Sequence, residues 1–136
     1  MDTTLRLDIV TPHGLVMSGD VDEITAAGSE GEFGILPGHV PFITTLRIGM
    51  LAVKKGSSTE YIFVSSGYAE VSADKVVVLA DSAEKAESID VERAIAARKR
   101  AEERLKQAEK IDFARAEAAL ERATIRIQVA ERRGRA

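Results

Sequence analysis

The sequence of 136 residues contains no cysteine. Disulfide bonds, thiolate catalysis and cysteine-based metal sites are therefore excluded. Long hydrophobic runs are also missing, because the longest aliphatic run, 76–80, is far too short to cross a bilayer. Residues 1–4 lack the basic-then-apolar layout of a signal peptide. We therefore expect any association with a membrane to go through a partner.

Recognisable catalytic patterns are absent as well. The two histidines, His13 and His39, lie far apart in Pro/Gly turns, so a metal site would need carboxylates that the sequence does not place. Ser65-Ser66-Gly67 lacks the Gly-x-Ser-x-Gly elbow of a nucleophilic serine. The glycines at 28, 31 and 34 are not followed by the Gly-Lys-Ser/Thr ending of a phosphate loop. An enzyme is therefore the weaker hypothesis.

Glycine, proline and aromatic residues are confined almost entirely to one part of the chain. All three prolines, nine of the ten glycines and five of the six aromatics lie before Ser88. Alanine and charged residues dominate after it. Because glycine and proline mark turns while alanine-rich charged stretches favour helices, we predict a turn-rich domain over 1–87 and a helical one over 88–136.

The net charge changes sign at the same point. Residues 1–87 hold 6 Lys/Arg against 13 Asp/Glu, a net charge of −7, whereas 88–136 hold 13 against 9, a net charge of +4. The two domains are therefore expected to meet differently charged surfaces. Nucleic acid is a weak candidate for the basic partner, because no aromatic platform accompanies the arginines.

The first domain shows the pattern of many short strands. Leu5, Leu7 and Ile9 alternate with Arg6 and Asp8, which is the period of a strand with one buried face. Turn residues separate it from further candidate strands, and this spacing predicts an antiparallel β-sandwich. In the glycine-rich segment 30–42, tight turns are expected, and Phe33 and Ile35 are expected to pack inward. The further candidates span 15–21, 23–27, 33–36, 42–46, 50–53, 60–65, 68–72 and 75–80.

The second domain is predicted to be an antiparallel pair of helices, which gives the chain an α+β fold. Asp90 and Asp112 open two similar segments 22 residues apart, and each Asp is a good N-cap. The helices are predicted over about 90–109 and 112–132, with a turn at 110–112. Alanine-rich apolar seams should join them, and such seams bury little area, so the hairpin should be held weakly. The seams are Val91, Ala94, Ala101, Leu105 and Ala108, then Phe113, Ala116, Leu120, Ala123, Ile127 and Ala130.

Three arginines on these helices admit two interpretations. Arg98 interrupts the first seam, while Arg122 and Arg126 lie one turn apart on the second helix. Their stems can cover the seam while the guanidinium groups pair with Glu102 and Glu121. Alternatively they form an anion site between the helices, because guanidinium groups match phosphate well. Composition alone leaves both interpretations open.

Several segments together resemble the epsilon subunit of bacterial F-type rotary ATP synthase. The most specific is Glu30-Gly31-Glu32-Phe33-Gly34-Ile35-Leu36-Pro37-Gly38-His39, and the resemblance covers nearly the whole chain. It implies a non-catalytic central-stalk subunit with a sandwich of about ten strands and a mobile hairpin that inhibits ATP hydrolysis. The other segments are 49–50, 66–71, 78–81 and the two Ile-Asp-x-x-Arg-Ala-like helix starts at 89–94 and 111–116.

The resemblance also implies partners. The sandwich would bind the gamma subunit near His39 and Thr44 and the c-ring near Glu32, at the cytoplasmic face of the bacterial inner membrane. The extended hairpin would meet acidic segments of the alpha and beta subunits. Its basic residues there would be Arg98, Lys99, Arg100 and Arg104.

Some members of that family bind ATP between the folded helices, as a regulatory ligand. No cofactor is required. The resemblance carries this site onto Glu84, Asp90, Arg93, Ala94, Arg122 and Arg126.

Two other classes remain open at this point. A free-standing sandwich-plus-coiled-coil adapter or chaperone would form homo-oligomers without a stalk partner. An enzyme with a carboxylate site on the sandwich, such as Asp20/Asp22 or Glu30/Glu32, would turn over substrate as an isolated chain.

Overall fold

A computed structural model describes residues 4–28, 31–107 and 110–133. A β-domain comes first and two helices follow it, so the predicted α+β fold is confirmed. None of the helices in these ranges is long and apolar enough to span a membrane. The elements are β1 (Leu5–Thr11), β2 (Gly14–Val21), β3 (Glu23–Gly28), β4 (Gly31–Ile35), β5 (Phe42–Leu46), β6 (Gly49–Lys55), β7 (Ser58–Val71), β8 (Lys75–Lys85), a 3₁₀ turn (Ala86–Ser88), α1 (Val91–Gln107) and α2 (Lys110–Ala130).

The strands form two layers because β7 and β8 are long enough to belong to both. One layer has the order β2-β1-β8-β7-β5, and the other has the order β8-β7-β6-β3-β4. Five strands in each layer make ten strand segments from eight continuous strands. The predicted count of about ten strands is therefore reached when β7 and β8 are counted once in each layer. The two predicted strands 60–65 and 68–72 are one continuous strand, β7.

The long strand β7 changes layer at Ser66 and Gly67. Both residues have positive φ, 47° for Ser66 and 137° for Gly67. A Cβ atom at Gly67 would lie 2.0 Å from the backbone oxygen of Leu79 on the neighbouring strand. Position 67 therefore requires glycine, both for its backbone angle and for the close approach of β8.

The core between the layers is built entirely from the β-domain. Its buried members all lie between Leu5 and Ala80, and alternate along the strands as predicted for Leu5, Leu7 and Ile9. Ile35 is buried, and Phe33 packs edge-to-face on Phe42 at 5.7 Å between ring centroids, so the predicted inward packing of these two β4 residues is confirmed. Within the part of the chain that the structure describes, the helices contribute no residue to this core.

Two features of the sheet depart from the prediction. First, β1 pairs with β8 in parallel, with Leu7 opposite Val76, so the sandwich is not purely antiparallel. Second, β8 continues to Lys85 instead of ending at 80. The extra residues pair with β7, where Phe63 lies opposite Glu84. The alternation of apolar residues predicted which faces are buried. It could not predict these two pairings, because they join residues that are far apart in the sequence.

The helix starts were predicted with mixed success. Asp90 is the N-cap of α1, because its Oδ1 accepts a hydrogen bond of 3.1 Å from the backbone N–H of Arg93. The predicted N-cap at Asp112 is wrong, because α2 already begins at Lys110 and Asp112 lies in its first turn. A carboxylate there still suits the positive end of the helix dipole. Position 109, the predicted end of the first helix, lies outside the described residues.

The helical seams are alanine-rich, as predicted. Ala94, Ala101, Ala116 and Ala123 are buried between the helices. Phe113, in contrast, is 47% exposed, so its predicted place in the seam is wrong.

The end of α2 docks on the β-domain more firmly than an alanine seam predicts. Phe63 and Val129 are fully buried in a second cluster with Ile89. Val129 stands outside the predicted seam because it is buried with Phe63 of the sandwich. The remaining members are Ala86 and Ala130, with Ile48, Met50, Tyr61, Val91 and Ile125 packed around them.

An ionic network on the outer face of the first layer centres on Asp8. Ser18 donates a hydrogen bond of 2.5 Å to Asp8 Oδ1, Arg6 Nε lies 3.5 Å from the same oxygen, and Lys75 Nζ lies 3.7 Å from Oδ2. The hydrogen bond from Ser18, with the charges of Arg6 and Lys75, lowers the pKa of Asp8 below its ordinary value of 3.8. The carboxylate therefore stabilises the fold above that value.

Replacing this carboxylate should give a pH-dependent loss of stability. At neutral pH, Asp8→Asn is expected to lower the melting temperature, because Ser18, Arg6 and Lys75 lose a charged acceptor. The difference should shrink as the pH falls below 3.8 through the lowered pKa of the folded chain, where wild-type Asp8 is protonated too. Asp74→Asn removes an exposed carboxylate as the matched control. A difference between Asp8→Asn and wild type that stays constant with pH would contradict the network.

Candidate functional site

A cavity of about 470 Å³ lies where the start of α1, the end of α2 and the β-domain meet. Strand β8 supplies Glu84, the N-terminal turns of α1 supply Asp90 and Arg93, and α2 supplies Arg126. The β1–β2 turn reaches it as well, because the parallel pairing of β1 with β8 carries that turn alongside the far half of β8. The described residues that line it are His13, Glu84, Asp90, Arg93, Ala94, Ala97, Arg100 and Arg126.

Arg126 connects the hairpin to the β-domain at one wall of this cavity. Its Nε donates a hydrogen bond of 2.7 Å to Glu84 Oε1, and its guanidinium carbon lies 4.2 Å from the centroid of the Phe63 ring. The side chains of Arg126 and Glu84 are 27% and 34% exposed. The ion pair is therefore partly shielded, and the stacking on Phe63 fixes the plane of the guanidinium group.

The carboxylates of the cavity are already engaged. Glu84 pairs with Arg126, and Asp90 accepts the N–H of Arg93 as helix cap. Within the described ranges no carboxylate lies at salt-bridge distance from Arg93 or Arg100. Two unpaired guanidinium groups and the positive end of α1 therefore face one cavity, an arrangement that suits a phosphate-bearing anion.

Five of the six residues assigned to the nucleotide line this cavity, and Arg122 does not. Arg122 lies with Arg104 and Arg115 in a neighbouring groove of about 560 Å³ floored by alanines of α2. Arg100 and Arg104 are one turn apart on α1, so the groove continues the line of the cavity along the hairpin.

Three cavity residues, His13, Ala97 and Arg100, were not assigned to the nucleotide from the sequence. Arg100 follows Arg93 by seven residues, two helical turns, so its position on the same face of α1 was readable from the sequence. The position of His13 was not, because it depends on the parallel pairing of β1 with β8.

The basic residues assigned to the interface of the extended hairpin lie along α1. Lys99, Arg100 and Arg104 are exposed. Arg98 is half-buried, and its Nε lies 3.7 Å from Glu102. This contact agrees with the interpretation in which the Arg98 stem covers the seam and its guanidinium group pairs with Glu102.

The three residues assigned to the sandwich interface lie on or between strands β4 and β5. Glu32 is an exposed residue of β4, and Thr44 is a half-buried residue of β5. Between the two strands, the His39 ring lies 4.9 Å from the Phe42 ring, and its Nδ1 is 2.8 Å from the carbonyl oxygen of Val40. Exposed apolar side chains surround them, namely Leu36, Val40 and Ile43.

An apolar row crosses the outer face of the first layer. The strand registers place Leu15, Val10, Leu79 and Tyr68 side by side across β2, β1, β8 and β7. Three of them are exposed large hydrophobic residues: Leu15 by 63%, Tyr68 by 50% and Leu79 by 39%. We call these four residues the outer row. Such a contiguous patch marks an interaction surface, since isolated monomers rarely expose one.

Two family models match the chain. One, described as the beta-sandwich domain of the ATP synthase delta/epsilon chain, matches residues 4–86. The other, described as the long alpha-helix domain of the same chain, matches residues 87–131.

Curated relatives share more than half of their aligned residues with the chain. The ATP synthase epsilon chain of Nitratidesulfovibrio vulgaris (strain DP4) is 55% identical over 107 residues, which are 79% of this chain and 80% of that one. The epsilon chain of Thermodesulfovibrio yellowstonii is 54% identical over 79% of this chain and 76% of that one. Among solved structures, a chain of the Euglena gracilis mitochondrial ATP synthase (OSCP/F1/c-ring) superimposes with a TM-score of 0.81 at 25% identity, covering 91% of this chain and 79% of that one.

Proposed function

Because the chain belongs to the family of ATP synthase delta/epsilon chains, we propose that its sandwich attaches it to the gamma subunit and the c-ring while its hairpin inhibits ATP hydrolysis. The chain is an epsilon chain, a central-stalk subunit of a membrane-associated ATP synthase complex, and is not itself catalytic. The adapter and enzyme alternatives are not favoured. Its attachment to gamma and the c-ring, its inhibition of ATP hydrolysis and its binding of ATP are proposals.

The outer row supports attachment to gamma. It lies on the first layer, while the second cluster around Phe63 on the other layer is covered by α2. Attachment and hairpin docking therefore use different faces of the sandwich. Asp81 also lines the groove along this row, and the sandwich carries a net charge of −7, so a partner with apolar and basic side chains fits best.

The end of the sandwich that carries Glu32, His39 and Thr44 suits the ring and the adjoining part of gamma. Its exposed Leu36, Val40 and Ile43 supply apolar contact area beside the Glu32 carboxylate. We place this end toward the cytoplasmic face of the inner membrane.

The hairpin is proposed to act on the alpha and beta subunits when it extends. It carries a net charge of +4, and the exposed Lys99, Arg100 and Arg104 form a basic stretch that acidic segments of those subunits would attract. In the present structure the hairpin is folded down on the sandwich.

ATP is proposed as the ligand that keeps it down. The single observation that carries this proposal is a pair of arginines, Arg93 and Arg100, that have no carboxylate partner within the described ranges and line a cavity bounded by both helices and the sandwich. A triphosphate lying along the hairpin would continue toward Arg122 in the adjoining groove. A ligand specific for the folded form stabilises it by about 2.7 kcal/mol when its concentration is 100 times Kd.

Calorimetry on the isolated subunit tests the ATP site. We expect binding at millimolar ATP or below, and about tenfold weaker binding for Arg93→Ala and Arg126→Ala, since each removes a charged donor. Arg122→Ala tests whether the phosphates reach the groove. Lys106→Ala, which removes one exposed positive charge from α1, is the control and should bind like wild type. No heat and no thermal shift at several millimolar ATP would end the proposal of a nucleotide site.

A further inference from the structure

Arg133 makes an unusual contact just beyond the end of α2. Its Nε donates a hydrogen bond of 2.7 Å to the carbonyl oxygen of Ala86, and its Nη2 donates to the carbonyl oxygen of Ile89. These two oxygens lie in the connection between β8 and α1, which we call the linker (86–90). The last turn of the hairpin is thereby tied to the segment from which the hairpin starts.

If α1 extended toward β8, the carbonyl oxygens of Ala86 and Ile89 would accept hydrogen bonds within the longer helix. Continuing the helix toward β8 would require Ile89 to accept a hydrogen bond from the Arg93 N–H, and Ala86 to accept one from the Asp90 N–H. In the structure the Arg93 N–H is bound to the Asp90 carboxylate, and Ile89 is extended with ψ of 127°. Arg133 and Asp90 together therefore hold the linker as a 3₁₀ turn (Ala86–Ser88) followed by an extended Ile89, and not as a continuation of α1.

The linker sequence alone does not demand this break. No glycine or proline occurs between Gly67 and Gly134, so no residue near the linker forbids a helix. Asp90 favours a helix start but acts only on its own side of the break. On the other side the Ala86 carbonyl accepts the Ile89 N–H at 3.4 Å within the 3₁₀ turn. Both the Ala86 and Ile89 carbonyls are also bound by Arg133, more than forty positions away, which makes the break dependent on hairpin docking.

Other contacts converge on the same point. Val129 and Ala130 are buried against Phe63 and Ile89, and the Arg132 guanidinium carbon lies 5.1 Å from the centroid of the Tyr61 ring. Any upward swing of the hairpin must break all of these contacts together. The place where α2 ends is therefore also the place where the hairpin pivots.

We propose that Arg133 is a clasp that holds the hairpin down by binding the linker carbonyls, independently of any nucleotide. When the clasp opens, the Ala86 and Ile89 carbonyls become available to the N–H groups of Asp90 and Arg93. The linker can then continue α1 toward β8 and straighten. The clasp thus couples release of the hairpin to the shape of its hinge, and it acts whether or not ATP binds the cavity.

The absence of native cysteine provides a direct test. In the full-length subunit without nucleotide, Ala130→Cys places a single thiol in the docked interface, where position 130 is 6% exposed. The rate of its reaction with a thiol reagent reports how often the hairpin lifts. Val64→Cys, made separately in the core that contains no helix residue, reports unfolding of the sandwich itself.

Adding Arg133→Ala is expected to speed labelling at position 130 about tenfold, since two hydrogen bonds from a charged donor are lost. Labelling at position 64 should not change. Arg133→Lys should behave like Arg133→Ala, because the two carbonyls are bound by two different nitrogens of one planar fork. Lys106→Ala, with the same loss of charge, should label like the parent.

An unchanged rate at position 130 in Arg133→Ala would overturn the clasp. Equal acceleration at positions 64 and 130 would overturn it too, because the arginine would then merely stabilise the whole fold. Since no nucleotide is present, a failure to bind ATP does not affect either result.

Discussion

Deleting residues 88–136 from the assembled ATP synthase is expected to raise its ATP hydrolysis several-fold while the complex stays intact. The deleted segment contains the basic stretch proposed to meet the alpha and beta subunits, and none of its described residues belongs to the sandwich core. The outer row and the end with Glu32 both remain. The measurement is the initial rate of ATP hydrolysis by purified complexes with full-length and shortened subunit.

The shortened chain should fold, so any change in ATP hydrolysis comes from the missing hairpin and not from an unfolded subunit. Among the described residues, every buried residue of the core between the layers lies between Leu5 and Ala80, so fragment 1–87 should unfold cooperatively. Its melting temperature should be lower, because Phe63 becomes exposed when α2 is removed. Equal hydrolysis by the two complexes, across ATP and ADP conditions, would deprive the hairpin of an inhibitory role.

Placing a charge in the outer row should detach the subunit from gamma. Leu79 lies in the middle of the row, between Val10 and Tyr68. In the bound state Leu79→Glu would bury a carboxylate among the apolar side chains of the row and of the partner surface that covers it, which costs at least about 2 kcal/mol and so weakens binding at least about 30-fold. The affinity for purified gamma subunit, measured by calorimetry or by surface-based binding, gives the answer.

A matched substitution on another face separates this effect from general damage. Ile95 is 45% exposed on α1, and Ile95→Glu makes the same kind of change away from the row. It should leave binding to gamma unchanged, and both variants should keep the wild-type melting temperature within a few degrees. If Leu79→Glu bound gamma with wild-type affinity, the outer row would not be the contact surface for gamma.

Local patterns predicted most of what is local in this structure. The alternation of Leu5, Leu7 and Ile9 predicted a half-buried strand, and the Asp90 side chain predicted the start of α1, because both signals act over a few residues. Asp112 carried the same signal and was wrong, since α2 begins two residues earlier. An acidic residue is favourable throughout the first turn, so this signal does not fix the cap position.

The site depended on contacts that no local pattern encodes. Arg122 and Arg126 are four residues apart, about 6 Å along the helix, and this rise places them opposite different neighbours. Arg126 meets Glu84 and Phe63, whereas Arg122 lies beside Arg104. The docking of α2 on Phe63 was likewise missed, because a residue of the sandwich and not of the hairpin provides its centre.

Affinity capture of the tagged full-length chain from detergent-solubilised membranes tests the central-stalk assignment most directly. We expect the captured material to contain the gamma, alpha, beta and ring subunits and to hydrolyse ATP, and we expect fragment 1–87 to capture the same set of subunits with a higher rate of ATP hydrolysis. Recovery of the chain only as a homo-oligomer, without these subunits, would contradict the assignment.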